Sequence, residues 1–171
     1  VNKLYDEDYV VTHTNALYLS DEAFDFKDGV FSGYDAEHHT YDTKTWGYQL
    51  DGKGKPRVAK SLDDPHCVFT RLKTFVSRYT LETGEQITGI PAAQIQQIAE
   101  TMAKNRPGAI LYALGMTQHT TGVQGIRSFT ILQLLLGNIG KPGGGVNALR
   151  GEPNVQGACD MAVLYNYMPG Y

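Results

Sequence analysis

The segment from Leu111 to Met161 constrains the fold more than any other part of this chain. Within about fifty residues it combines a glycine-rich turn, a triple glycine, an arginine and a run of side-chain amides. The short apolar run from Ala109 to Leu114 lies between turn signals and predicts a buried strand. From about Thr121 the pattern is helical, and it becomes apolar nearly all round at 132–136, so a deeply buried helix is expected there. The order of helix, strand and helix predicts an α/β sheet with flanking helices and a layout suited to holding a cofactor.

The composition of the whole chain limits the classes of partner that it can bind. Of its 171 residues, 42% are hydrophobic and 19% are charged, and the formal net charge is -3 without a long block of one sign. A nucleic acid is therefore not expected as the main partner. No apolar run approaches the roughly 20 residues of a membrane-spanning helix, so no membrane contact is expected either. Cys67 and Cys159 have no ligand spacing around them, and no metal site is predicted.

The ends of the chain bear on its domain organisation. It begins at Val1 without an initiator methionine and stops directly after the motif-rich segment. We therefore expect an internal piece of a longer protein, with a processed mature chain as the alternative. Residues 20–60 alternate aromatic residues with Asp, Gly, Lys and Thr, which predicts an irregular excursion of short strands. Within it, residues 45–50 and 56–59 are expected to face each other across a turn at 51–54.

Three helices are expected between this excursion and the strand at 109–114. Asp64 before Pro65 is the predicted N-cap of the first helix, and Thr80 that of the second. The third begins at Pro91 and ends near Asn105.

The turn from Gly115 to Gly122 follows the predicted strand and precedes the predicted helix. In open α/β sheets, ligands bind in the crevice beyond the carboxyl ends of the strands. The two glycines would allow close backbone approach, and N–H groups at the start of the helix attract negative charge, as on a phosphate. The spacing differs from the GxGxxG dinucleotide motif, so a tight structural turn remains an alternative. For His119, a hydrogen-bonded turn residue is the alternative to a catalytic role.

Gly143, Gly144 and Gly145 lose much conformational freedom on folding, which indicates that bare backbone is needed there. A loose surface loop is the alternative. Arg150 follows shortly after and offers a planar set of donors matched to a carboxylate or a phosphate. A surface salt bridge is the other interpretation of this arginine.

Asn154 and Gln156 present donors and acceptors at close spacing, which suits the edge of a heterocycle. A polar loop that satisfies its own backbone is the alternative. Cys159 is expected to be a small core residue rather than a reactive thiol.

The run YALGMTQHTTGVQGIRSFTILQLLLGNIGKPGGGVNALRGEPNVQGACDM closely resembles the catalytic subunit of formate dehydrogenases in the molybdopterin oxidoreductase (dimethyl sulfoxide reductase) superfamily. The earlier segments THTNALYL, DFKDGVFSGYDA, TWGYQLD and DDPHCVFTRLKTFVSRYT are similar to the larger, respiratory and exported branch of these enzymes. The resemblance implies a Rossmann-like open sheet with flanking helices. Residues 1–151 would form most of one cofactor-binding α/β domain, and 152–171 would begin the adjoining one.

The resemblance also implies the cofactors that this chain would help to bind. They are two molybdopterin guanine dinucleotides with tungsten or molybdenum, and a [4Fe-4S] cluster in a part that precedes Val1. The selenocysteine or cysteine that binds the metal would also precede Val1, and neither Cys67 nor Cys159 matches it. By the same resemblance Arg150 is the catalytic residue that holds formate. The residues expected to contact the cofactor are Gly115, Met116, Thr117, Gln118, His119, Gly144, Gly145, Gly151, Asn154 and Gln156.

Glu152 and Pro153 depart from the family pattern, in which neutral polar residues are expected.

The implied reaction is the oxidation of formate to carbon dioxide or its reverse, in the periplasm. The implied partners are an iron–sulfur electron-transfer subunit and, as a further candidate, a cytochrome subunit. Two alternatives remain: another molybdopterin oxidoreductase, such as a nitrate or polysulfide reductase, and a non-catalytic binding or assembly module.

Overall fold

A computed structural model describes residues 3–150 and 155–163. The chain divides into two compact units. The N-terminal unit consists of Glu7–Ala99, and the C-terminal unit consists of Val1–Asp6 together with Glu100–Tyr171.

The N-terminal unit starts with helix α1 (Glu7–His13) and continues into short antiparallel strand pairs. Strand β1 (Phe26–Lys27) pairs with β2 (Val30–Phe31), and β3 (Tyr34–Asp35) pairs with β4 (Thr40–Tyr41). A bridge between Leu50 and Pro56 closes the turn expected at 51–54, where Asp51 accepts hydrogen bonds from the backbone N–H groups of the turn. The expected excursion of short strands is therefore present. The buried side chains of the N-terminal unit are Val10, Ala16, Leu19, Ser20, Ala59, Leu62, Cys67 and Phe69.

Helix α2 (Val68–Val76) begins later than the sequence indicated. Its N-cap is Cys67, whose Sγ accepts a hydrogen bond from the backbone N–H of Thr70 at 3.4 Å. Asp64 instead accepts from the backbone N–H of His66 in the preceding turn. The prediction of Asp64 as the N-cap was wrong, because the helix begins only at Val68 and the Cys67 sulfur occupies the N-cap position, at which sequence rules favour an oxygen acceptor.

Helices α3 (Leu81–Thr88) and α4 (Ala92–Lys104) agree with the sequence. Thr80 caps α3 through its hydroxyl, which accepts from the backbone N–H of Thr83 at 3.2 Å. Gly89 ends α3 in the left-handed conformation (φ 73°). The four-residue strand β5 (Ala109–Tyr112) follows α4 after a short turn.

The C-terminal unit is built around a strand–helix–strand arrangement. After β5 come the single turn α5 (Leu114–Thr117), helix α6 (Gly122–Leu135), strand β6 (Gly145–Ala148) and helix α7 (Val155–Asp160). Strands β5 and β6 are parallel, with Ala109 opposite Gly145 and Tyr112 opposite Ala148. Helix α6 connects the two strands and contacts both of them. This mixture of helices and strands, with its parallel pair, is consistent with the predicted α/β class.

Helix α6 is less buried than the sequence predicted. Of its residues only Gly122 and Gln133 are buried, whereas Val123 is 65% exposed and Ile131 is 41% exposed. The predicted burial is therefore confirmed only in part: Gln133 and Leu136 are buried, Leu134 and Leu135 are half-buried, and Val123 and Ile131 earlier in the helix are exposed. The two strands cover one side of the helix only, and they leave its other apolar side chains in contact with solvent. Within the described residues, no helix is both long enough and apolar enough to cross a membrane.

Candidate functional site

The carboxyl ends of β5 and β6 lie side by side. Tyr112 and Ala148 form the last pair of the parallel ladder, and the N–H of Leu149 donates to the carbonyl of Tyr112 at 2.8 Å. The chain leaves both strands at this edge, into the turn that starts at Leu114 on one side and into Arg150 on the other. The structure thus brings the glycine-rich turn and Arg150 to the same end of the sheet, where ligands bind in open α/β proteins.

The turn from Gly115 to His119 is exposed, includes most of the single helical turn α5, and is stabilised by its own hydrogen bonds. His119 Nε2 donates to the carbonyl of Gly115 at 2.8 Å, which closes the turn and agrees with the alternative of a hydrogen-bonded turn residue. Gly122 needs to be glycine, because a Cβ atom there would lie 2.4 Å from the carbonyl oxygen of Thr117. A Cβ atom at Gly115 would meet no atom within 4 Å. Close approach within the fold therefore explains Gly122, and it does not explain Gly115.

Arg150 is exposed and has a strained backbone. Its φ is +40°, in the left-handed region that residues other than glycine rarely adopt. Strain of this kind is concentrated at functional sites, where the surrounding structure imposes it. Within the described residues, no ion pair involves Arg150. Arg150 thus follows β6 at the carboxyl edge of the sheet with no acidic partner among the described residues.

Charge is unevenly distributed along the chain, and the sequence reasoning missed this signal. Residues 101–151 contain five lysines and arginines and no aspartate or glutamate. Lys104 pairs with Glu100, and Asp6 lies 3.3 Å from Arg106 and 3.9 Å from Lys141. The remaining two cations, Arg127 and Arg150, have no carboxylate partner among the described residues. A segment with this balance attracts anions.

Arg127 lies near the turn, at a shallow pocket between α5 and α6. The pocket has a volume of about 300 Å³. Thr117, Gly122, Val123, Ile126 and Arg127 line it. Its walls come from the same turn that the sequence singled out.

The triple glycine lies at the opposite end of β6 from Arg150. A Cβ atom at Gly144 would be 2.0 Å from the carbonyl oxygen of Asn138, and Gly143 and Gly145 have φ values of +84° and +114°. A tight turn into the strand therefore requires all three glycines, and the alternative of a loose loop was wrong. The contact of Gly144 and Gly145 with a cofactor stays a prediction.

The remaining predicted contacts lie at the end of the described chain. Gln156 is exposed in α7. Gly151, Asn154 and Glu152 are outside the described residues, so their predicted roles stay predictions. The side chain of Cys159 also lies outside them.

A buried pair of amide side chains, Gln133 and Asn138, was not predicted. Both are at most 1% exposed. Gln133 Nε2 donates to the carbonyl oxygens of Gly108 and Gly145, at 3.1 Å each, and Asn138 Nδ2 donates to Gln133 Oε1. The one available signal was a glutamine inside an otherwise apolar helical run.

The N-terminal unit has a larger pocket, of about 530 Å³, among aromatic side chains that include Phe26, Trp46 and Phe75. Arg71 lines it, but its guanidinium donates to the carbonyl oxygens of Phe24 and Asp21. This arginine therefore stabilises the loop. Across residues 3–150 and 155–163, no group of three or more His, Cys, Asp or Glu side chains could hold a metal ion.

The C-terminal unit is thus a parallel strand–helix–strand unit of the α/β class, with a glycine-rich turn and Arg150 at its carboxyl edge. Open α/β proteins bind their ligands at this edge of the sheet.

Comparison with known proteins narrows this class. No protein-family model matches the chain. It is 48% identical over 172 residues to the formate dehydrogenase 2 subunit alpha (cytochrome c-553) of Nitratidesulfovibrio vulgaris, a match that covers 98% of this chain and 17% of that protein. It is 48% identical over 174 residues to the nitrate-inducible formate dehydrogenase major subunit of Escherichia coli, covering 99% of this chain and 17% of that protein. With formate dehydrogenase H of E. coli, 43% identity extends over 128 residues, which is 71% of this chain and 18% of that protein.

The chain is therefore a homologue of formate dehydrogenase alpha, or major, subunits, and the resemblance inferred from the sequence is confirmed. It spans about a sixth of the length of these relatives.

Proposed function

We propose that this chain is part of a formate dehydrogenase catalytic subunit that oxidises formate to carbon dioxide or runs the reverse reaction. The observation that supports the proposal is the shared carboxyl edge of β5 and β6, from which the chain leads into the Gly115–His119 turn on one strand and into Arg150 on the other. The homology to formate dehydrogenase alpha subunits supplies the substrate.

The cofactor that we propose is a pair of molybdopterin guanine dinucleotides with tungsten or molybdenum. Its phosphates carry negative charge, and the segment from 101 to 151 has no carboxylate to repel them. The hydroxyl of Thr121, at the start of α6, makes no capping bond, which leaves N–H groups of the first turn for a ligand. The residues present fit the group. Gly115, Met116, Thr117, Gln118 and His119 would line it from the turn, and Gly151, Asn154 and Gln156 from beyond Arg150.

Arg150 would bind and orient the substrate. Formate is a one-carbon anion, and a guanidinium donates two parallel hydrogen bonds to a carboxylate. Conversion to carbon dioxide removes one proton and two electrons from formate, and the bound cofactor accepts the electrons. Arg150 would offset the charge of the carboxylate and direct the C–H bond away from the sheet edge.

The Rossmann-like character of the sheet is part of the proposal. The described parallel pair with α6 on one face would be one strand–helix–strand unit of a larger open sheet, since α6 and the outer strand edges have uncovered apolar side chains. We propose that residues 1–151, including the excursion at 20–60, belong to one cofactor-binding domain, and that 152–171 begin the next.

The proposed partners are an iron–sulfur electron-transfer subunit and, as a further candidate, a cytochrome. The name of the Nitratidesulfovibrio relative includes cytochrome c-553. A periplasmic location is proposed from the resemblance to the exported branch. A [4Fe-4S] cluster is proposed for the part of the subunit that precedes this segment.

The test uses the full-length subunit that carries this segment. Metal, pterin and guanine nucleotide analysis should find tungsten or molybdenum with the cofactor, and the protein should oxidise formate. Arg150→Lys should raise the KM for formate about ten- to a hundredfold, because one charge-assisted hydrogen bond contributes about 1.5–3 kcal/mol. Normal KM and turnover in this variant would remove Arg150 from the role. Absence of metal and cofactor would support the alternative of a non-catalytic binding or assembly module. Turnover of nitrate or polysulfide, with no turnover of formate, would support the alternative of another molybdopterin oxidoreductase.

A further inference from the structure

We propose that Gln133 is a positioning residue for the site, because its side chain braces the amino ends of β5 and β6 and thereby sets the position of Arg150. This inference rests on the proposed function for what Arg150 does. The brace itself is a feature of the described structure.

Both N–H groups and the oxygen of the Gln133 amide form hydrogen bonds. Its Nε2 atom has two N–H groups, and each meets one backbone carbonyl, that of Gly108 before β5 and that of Gly145 in β6. Because carbonyl groups only accept, the NH₂ end must face them, and Oε1 is left to accept from Asn138 Nδ2. The orientation of the side chain therefore follows from its partners. A single residue of α6 therefore links the amino ends of both strands and fixes their position relative to each other.

The entry into β6 needs such a brace. Gly143 and Gly145 have positive φ values, and glycine has the least intrinsic preference for any one backbone conformation. The turn is closed by one backbone hydrogen bond, from Gly144 N–H to the carbonyl of Lys141 at 2.9 Å. The direction in which β6 leaves the turn thus depends on the groups that bond to the strand. Gln133 is the side chain that bonds to Gly145, the first residue of β6.

A displacement at this end would reach the site. Strand β6 has four residues, and Arg150 follows its last residue by two positions. Gln133 lies eleven residues after Gly122 in one uninterrupted helix, a distance of about 16 Å at about 1.5 Å per residue. A shift of α6 along the strands would therefore move the turn at 115–122 as well. Both parts of the site depend on the one amide.

Asn138 supports the brace from behind. It is 1% exposed, and its Oδ1 atom has no hydrogen-bond partner within the described part of the chain. An unpartnered buried polar atom destabilises the fold, and here it accompanies the one donor that holds Gln133 Oε1. The cost is consistent with a requirement for orientation rather than for stability alone.

The test compares Gln133→Met with Gln124→Met in the full-length, cofactor-loaded enzyme. The control makes the same chemical change at an exposed position of the same helix. The first readout is amide hydrogen exchange over residues 145–149, which does not depend on activity. Loss of the two hydrogen bonds in Gln133→Met should speed this exchange about tenfold, and Gln124→Met should leave it unchanged.

The second readout is a double-mutant cycle on the KM for formate. Gln133→Met should raise KM about tenfold, since displacement of a positioning group by about 1 Å can cost on the order of a hundredfold. In an Arg150→Lys background the same change should have little further effect, because the group that it misplaces is already impaired. A purely structural role would instead produce effects that multiply. Gln133→Glu keeps the volume and, when protonated, one donor, so its exchange rate and KM should fall between those of wild type and Gln133→Met.

Three outcomes would overturn the inference: unchanged exchange in β6, an unchanged KM, or independent effects in the cycle. If Gln133→Met does not assemble, the same outcomes for Gln133→Glu decide it. An Arg150→Lys variant with normal KM would instead overturn the proposed function, while exchange in the Gln133 variants would still report on the brace.

Discussion

Leu149 donates its backbone N–H to the carbonyl of Tyr112 at 2.8 Å, one position beyond the last pair of the parallel ladder. The bond carries the pairing of β5 and β6 up to the residue before Arg150. The arginine therefore starts from a defined point of the sheet, next to the turn that contains Gly115. The pairing of β5 with β6 therefore places residues that are distant in sequence at the same carboxyl edge of the sheet.

The backbone and the side chain of Arg150 should have separable effects. Arg150→Gly and Arg150→Ala both remove the guanidinium, so both should lose most formate turnover. Arg150→Gly should be more stable than Arg150→Ala by about 1 kcal/mol, because alanine keeps the cost of a left-handed backbone and glycine does not. Denaturant unfolding of the two variants measures the difference. Equal stabilities would show that the φ of +40° is not maintained in the protein.

Gly144→Ala should destabilise the C-terminal unit strongly. Its Cβ atom would be 2.0 Å from the Asn138 carbonyl oxygen, which cannot move without breaking the turn. We expect a loss of about 3 kcal/mol, at the upper end for overpacked sites. Gly52→Ala is the control, since a Cβ atom there meets nothing within 4 Å and φ is not positive. Thermal unfolding of the full-length variants checks the prediction, and similar midpoints for the two would contradict it.

Gly115→Ala should separate folding from cofactor retention. The position is open in the fold, so the change should alter stability by less than about 0.5 kcal/mol. If the turn lies against the cofactor as proposed, the added methyl group should lower the amount of pterin that copurifies with the enzyme. Pterin fluorescence after release, together with the melting temperature, tests both parts. Full cofactor content would argue that Gly115 does not approach the cofactor.

The hairpin of β3 and β4 should open in acid. The hydrogen bond with the His38 side chain lowers the pKa of Asp35, and the backbone N–H groups of His38 and Glu37 lower it further. Because the pKa is lower in the folded state than in the unfolded state, the stabilising effect is present above about pH 4 and is lost as the pH falls through the folded value. Hydrogen exchange of the Glu37 and His38 amides should therefore gain an additional acid-dependent rise. Asp35→Asn should remove that rise, and an identical pH profile in the variant would contradict the assignment.

Local sequence rules predicted the features that depend on neighbouring residues. The N-cap of α3 at Thr80 and the strand after the turn at 105–108 both follow from chemistry within one or two turns. Where two residues competed for one role, local rules were insufficient. Asp64 and Cys67 both preceded α2, and the choice between them depended on where the helix began.

The sequence by itself determined the family, the order of the elements and the candidate residues at 115–119 and 150, because each of these is written in contiguous runs. Tertiary structure decided which of those residues meet. Parallel pairing of 109–112 with 145–148 placed Arg150 and the glycine-rich turn at the same end of the sheet, and Gly144 and Gly145 at the other end of the strand. It also buried Gln133, which in a helical run is expected to face solvent, because two backbone carbonyls from distant segments converge on its amide. Neither the register nor that convergence is encoded in local preferences, since both arise when separate segments pack.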